Sequence, residues 1–183
     1  HTQRMMILFT WIVDGEEYVA GRMTAFQALD DSVSGTVAMQ FYGEDVVVEE
    51  YPYLDLTAPL ADGHRWTFPA DMSINDPGLP GSVVMNMESE IVETGMSVEV
   101  PAGVFHDCIR VKGRGRSRDD LRLEGGSHHG QSVQVVWEGE SIWAPGVGSI
   151  RETGRERTMS LRKPVQVLAE SGYRSELVKV EKH

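Results

Sequence analysis

Two short stretches decide the fold class of this chain: VEVPAGVFHDCIRV at residues 98–111 and WAPGVGSIRE at residues 143–152. Each places a proline and a glycine between runs in which apolar and polar residues alternate. Alternation with a period of two is typical of a β-strand, and proline with glycine is typical of a turn. Each stretch therefore predicts a strand, a tight turn and a second strand.

Similar alternating segments extend over most of the chain on both sides of these stretches. Residues 5–13 are apolar at nearly every position, Asp14-Gly15 is a hairpin signal, and alternation resumes from Val83. No window in residues 1–50 or 81–183 shows a convincing helical period. Several strands separated by turn signals predict a mainly β fold with an antiparallel sheet. We expect one strand of it, residues 132–143, to bend at a bulge near Gly139.

Residues 52–80 differ from the rest of the chain. They contain most of its prolines and show no sustained periodicity, yet they also include Trp66 and Phe68. Such apolar side chains are rare in a free linker. We therefore expect a long proline-rich loop, or a short helix, packed on the sheet.

Length and charge restrict the class of protein. The 183 residues fit a single β domain spanning 1–183. A net charge of −11 repels the phosphate backbone, so we expect no nucleic-acid partner. No window approaches the roughly 18 consecutive apolar residues of a transmembrane helix, so we expect no transmembrane segment. The chain begins at His1 rather than methionine, which we interpret as trimming, compatible with a removed signal sequence.

Sequence patterns typical of catalytic and metal-binding sites are missing from this chain. It contains no Gly-x-Ser-x-Gly elbow, no His-Glu-x-x-His, no phosphate-binding loop and no Gly-x-Gly-x-x-Gly. His106 and Cys108 would share one strand face, but a metal needs further ligands, and none is visible nearby. His128 and His129 lie in a glycine-rich loop and project in different directions. We therefore predict no enzymatic activity, no cofactor and no metal site.

Five cations occupy the even positions from Arg110 to Arg118, so an unbroken strand presents them along one face. The opposite face loses its side chains at Gly113 and Gly115. In one interpretation, the glycines make room for a cavity and the cations hold an anionic headgroup or partner. In the other, the cations pair with cross-strand carboxylates such as Glu88 and Glu90, and the glycines accommodate a tryptophan. Cross-strand opposite charges are a common surface feature, which favours the second interpretation.

The combination of VPAGVF at 100–105, CIRV at 108–111 and WAPGVG at 143–148 resembles a group of uncharacterised bacterial extracytoplasmic domains. These domains are related in fold to the LolA and LolB lipoprotein carriers. The segments LADGHRW at 60–66 and SELV at 175–178 also fit, so the resemblance covers roughly residues 52–180. It implies an antiparallel sheet rolled into a half-open barrel with an apolar concave face. It also implies export to the periplasm or cell envelope, and it supplies no catalytic residues.

These observations together lead to a functional expectation. We expect a non-enzymatic exported protein that binds an apolar or amphiphilic ligand, such as a lipid or a lipoprotein acyl chain, on the concave face. The alternative is an envelope protein-interaction or scaffold module whose barrel is filled by its own side chains. The residues expected to line the ligand site are Val83, Met85, Met87, Phe105, Ile109, Val133, Val135 and Trp137.

Overall fold

A computed structural model describes residues 2–13, 16–29, 33–41, 47–73, 78–124 and 126–181. These residues form a mainly β protein in which one short 3-10 turn, Gly126–His128, is the only helical element described. The strands are β1 (Thr2–Val13), β2 (Glu16–Leu29), β3 (Val33–Phe41), β4 (Val47–Thr57), β5 (Arg65–Ser73), β6 (Ser82–Val100), β7 (Gly103–Ser117), β8 (Leu121–Arg122), β9 (Ser132–Ala144), β10 (Gly148–Ser160) and β11 (Val167–Glu181).

All of the strands belong to one antiparallel sheet. Its order is β4-β3-β2-β1-β11-β10-β9-β7-β6-β5, and the short β8 pairs with β9. The prediction of a mainly β, antiparallel fold is therefore confirmed. The sheet is not closed into a barrel, because β4 and β5 stand at its two ends and form no ladder with each other in the described residues.

The segment from residue 52 to residue 80 corrects the sequence-based expectation. Instead of a long loop or a short helix, it forms the end of β4 and the whole of β5, with residues 74–77 outside the described part. Two of its prolines, Pro52 and Pro69, lie in strands. This is possible because β4 and β5 are end strands, where a missing N–H need not break a ladder. Pro69, for example, lies in β5 opposite Asn86 of β6. The burial expected for Trp66 and Phe68 is confirmed.

The predicted turns lie between the predicted strands. Val100 ends β6 and Gly103 begins β7, whereas Ala144 ends β9 and Gly148 begins β10. Gly103 has φ 131°, a conformation that residues with a side chain rarely adopt.

The predicted bulge near Gly139 is wrong, since β9 pairs with β7 there without a register shift. The irregularity lies on β10, between Ser149 and Arg151.

Among the side chains that the structure describes, the buried apolar residues form two clusters. The first, which we call the tryptophan cluster, comprises Trp66, Phe68, Ala70, Val83, Met85, Met87, Ile91, Val111, Val135, Trp137 and Trp143. The second, the Cys108 cluster, comprises Val98, Val100, Cys108, Ile142, Ala144, Ile150 and Leu177. Tyr173 of β11 packs against both clusters and so connects them.

Candidate functional site

The structure brings most of the predicted lining residues together. Five of them are buried members of the tryptophan cluster and Ile109 packs at its margin, whereas Phe105 packs against the Cys108 cluster instead. Val133 is fully buried, with 0% of its surface exposed. The five buried members are Val83, Met85, Met87, Val135 and Trp137.

A row of glycines crosses the sheet next to this cluster. Gly113 of β7 lies opposite Gly139 of β9, which lies opposite Gly154 of β10. The indole of Trp137 covers all three: a methyl group on Gly113 would lie 2.8 Å from Cζ3, and one on Gly154 would lie 2.7 Å from Nε1. The glycines are therefore needed to accommodate the ring, which confirms the part of the second interpretation that assigned Gly113 to a tryptophan.

Met87 fills the space left by another glycine. A methyl group on Gly115 would overlap the Sδ atom of Met87, whose side chain is only 2% exposed. The described side chains therefore pack closely at this level of the sheet. A ligand entering here would have to displace flexible groups, and a methionine thioether is among the most adaptable of them.

Two of the cations on the other face of β7, Arg110 and Arg114, are paired with carboxylates. Arg114 lies 2.7 Å from Glu88, as the sequence indicated, whereas Glu90 pairs with Arg65 of β5 at 3.0 Å. Arg110 lies 3.3 Å from Glu93. The Arg114 side chain is 74% exposed, so this pair contributes little to stability.

A groove of about 810 Å³ is lined by the three glycines of this row together with charged side chains, and a second one of about 560 Å³ adjoins it. The two grooves share Arg114, Glu138 and Arg155. Their rims are charged, and of the predicted lining residues only Trp137 borders either of them. These grooves offer polar contacts and differ in character from the apolar site predicted from the sequence.

A polar pair lies between the two apolar clusters and was missed by the sequence analysis. The hydroxyl of Tyr173 donates a hydrogen bond to the carboxylate of Glu152. Burial raises the pKa of Glu152, and the hydrogen bond from Tyr173 opposes this shift. One sequence signal could have indicated its burial. Glu152 follows Ile150 by two positions, which places both side chains on the same face of a strand. The pair places a partly buried carboxylate and hydroxyl at the boundary between the two apolar clusters.

His106 and Cys108 do not form the ligand pair that their spacing suggested. Asp107 between them has φ 55°, which interrupts the alternation, so His106 is exposed while Cys108 is fully buried. Burial, and after it the charge of Asp107, raise the pKa of the Cys108 thiol. Among the described residues, no group of three or more His, Cys, Asp or Glu side chains could hold a metal ion.

Comparisons with family models, with curated proteins and with solved structures found no match to this chain. None of the described residues forms an apolar helix of the length needed to cross a bilayer. A functional proposal therefore rests on the chain's own residues, on their arrangement and on the resemblance of its motifs.

Proposed function

We propose that this protein is a non-enzymatic binding protein that takes up an apolar or amphiphilic ligand, such as a lipid or an acyl chain, inside a half-open antiparallel barrel. The observation that carries the proposal is the tryptophan cluster. Six of the eight residues selected from the sequence belong to it or pack at its margin. Its methionines, Met85 and Met87, supply an apolar lining that can change shape.

Contacts between the two ends of the sheet support the half-open barrel. β4 and β5 are the end strands in the sheet order, yet they contact each other. Thr57 Oγ1 and His64 Nε2 are hydrogen-bonded at 2.9 Å across their connection. Leu56 of β4 packs against the tryptophan cluster, to which β5 also contributes. In the proposed barrel the sheet curls so that these ends approach, and the unpaired seam between them is the entrance for the ligand.

Binding in this proposal is driven by partition. Apolar surface that moves from water into the interior gains on the order of 25 cal/mol per Å². Tyr173 and Glu152 offer a polar contact for a headgroup at the boundary between the two apolar clusters. The resemblance to extracytoplasmic carriers supports a location in the periplasm or cell envelope. The same resemblance favours a lipid-like ligand.

Titration with a fluorescent fatty acid, together with native mass spectrometry after purification, tests this proposal. We expect saturable uptake by the wild type and weaker uptake by Met87→Gln, which keeps the side-chain volume but adds polarity to the interior. Met159→Gln is the matched control, because Met159 is partly exposed and lies outside both clusters. Urea denaturation shows whether each variant is folded. If Met87→Gln does not fold, the wild-type titration and the co-purified mass still decide the question.

A protein-interaction or scaffold module is the second candidate function. The close packing of Trp137 against Gly113 and of Met87 against Gly115 favours it, because these side chains occupy space that a ligand would need. A clean unliganded mass and no fatty-acid uptake would reject the carrier and select this alternative.

A further inference from the structure

Exposed apolar side chains are concentrated in one loop. The described residues expose five large hydrophobic side chains, and three of them lie between β10 and the start of β11. Leu161 is 40% exposed, Val165 60% and Val167 51%. Single exposed aliphatic residues need no explanation. Here, however, three of the five described ones lie within seven consecutive residues.

The strands beneath hold this loop in place. The backbone N–H of Ser160 donates to the carbonyl of Gln166 at 2.8 Å and closes the loop. The N–H of Leu161 donates to the carbonyl of Ser132 at 3.1 Å, and Gln131 Nε2 donates to Ser160 Oγ at 2.6 Å. The apolar side chains are therefore presented by an anchored backbone rather than by a loose end.

The charge of the loop differs from that of the chain. Residues 161–167 include Arg162 and Lys163, both exposed, and no acidic residue, whereas the whole chain has a net charge of −11. The side chains that anchor the loop, Gln131 and Ser160, are uncharged. The loop itself therefore carries two positive charges, in contrast to the acidic chain as a whole.

We propose that the loop 161–167 docks this protein on the surface of an anionic lipid bilayer. Its aliphatic side chains would enter the interface, and Arg162 and Lys163 would contact the acidic headgroups. The three exposed aliphatic side chains alone cannot supply the roughly 800 Å² per partner that a stable protein interface buries. A bilayer needs no matching surface of that size. This proposal stands independently of whether the interior binds a ligand.

Flotation with vesicles tests the proposal on the full chain. We use phosphatidylcholine vesicles with about one-third phosphatidylglycerol, and pure phosphatidylcholine vesicles for comparison. We expect the wild type to bind the anionic vesicles preferentially. The double variant R162Q/K163Q should bind them about 25-fold more weakly. The double variant V165S/V167S should lose about tenfold in affinity.

Val104→Ser is the matched control, because Val104 is 57% exposed but lies at the start of β7, away from this loop. It should bind vesicles as the wild type does. The proposal is overturned if the wild type does not bind anionic vesicles, or if V104S loses as much vesicle binding as V165S/V167S. It is also overturned if the wild type forms a dimer that V165S/V167S cannot form, and neither protein binds vesicles. The fatty-acid titration measures ligand binding in the interior and does not depend on vesicle binding. The ligand-binding proposal and the membrane-docking proposal can therefore fail independently.

Discussion

Gly139 shows how a missing side chain can determine packing. A methyl group there would lie 2.5 Å from the backbone oxygen of Thr153 and 2.5 Å from Cζ2 of Trp137. The backbone oxygen belongs to a paired strand and cannot rotate away. We therefore expect Gly139→Ala to lower the free energy of unfolding by about 2–3 kcal/mol, measured by urea denaturation with circular dichroism.

Gly81→Ala is the control for this prediction. A methyl group on Gly81 would have no atom within 4 Å, and Gly81 is not among the glycines with positive φ. Its free energy of unfolding should stay within about 0.5 kcal/mol of the wild type. Equal losses in the two variants would show that the glycine row is not needed for Trp137.

Glu152 gives a prediction for pH. Burial raises its pKa above the ordinary value of 4.5, despite the opposing hydrogen bond from Tyr173. Between the ordinary pKa of the unfolded chain and the raised pKa of the folded protein, the folded protein binds the Glu152 proton more tightly than the unfolded chain does. The free energy of unfolding therefore falls as the pH rises through this range. Glu152→Gln removes this titration, so its stability relative to wild type should increase from acidic to neutral pH, measured by urea denaturation. Parallel pH profiles would contradict this assignment.

At the scale of elements, Arg151 joins three strands. Its Nη2 donates to the carbonyl of Glu99 in β6 at 2.7 Å, and its Nε donates to Glu176 of β11 at 2.9 Å. Although burial acts to raise the pKa of Glu176, hydrogen bonds from Arg174 and Arg151 lower it. We expect Arg151→Ala to cost about 1–3 kcal/mol and to speed amide hydrogen exchange at the turn between β6 and β7.

Arg155→Ala provides the comparison for Arg151. Arg155 is 55% exposed and lies 3.6 Å from Glu170, so its pairing is a surface salt bridge. Its loss should cost less than about 1 kcal/mol and leave hydrogen exchange at that turn unchanged. If both variants accelerated exchange equally, Arg151 would not be the link between the turn and β11.

The elements also show what the sequence can predict and what it cannot. Alternation of apolar and polar residues is a local signal. It predicted the strands around Pro101 and Pro145 because successive side chains of a strand point to opposite faces of the sheet. It failed at Pro52 and Pro69, because tolerance of proline depends on the strand's position in the sheet, which is a long-range property. The alignment of Gly139 with Gly113 and Gly154 likewise depends on register between strands. Glycine spacing on one strand predicted that a ring lies close, but not that Trp137 covers three strands.

At the scale of the whole molecule, Tyr173 connects the two halves of the core. It packs against both the tryptophan cluster and the Cys108 cluster, and β7, β9 and β10 run continuously past them. An opening of one cluster would therefore expose apolar surface of the other. We expect the protein to unfold in a single cooperative transition.

The tryptophans and Cys108 allow the unfolding of the two clusters to be measured separately. Three of the four tryptophans lie in the tryptophan cluster, so their fluorescence reports on it. Cys108 is the single cysteine and is fully buried in the other cluster, and burial keeps its thiol protonated and slow to react. Tryptophan fluorescence and thiol labelling across a urea series should therefore give the same midpoint. If Cys108 became reactive at a lower urea concentration than the fluorescence change, the two clusters would unfold separately, and Tyr173 would not couple them.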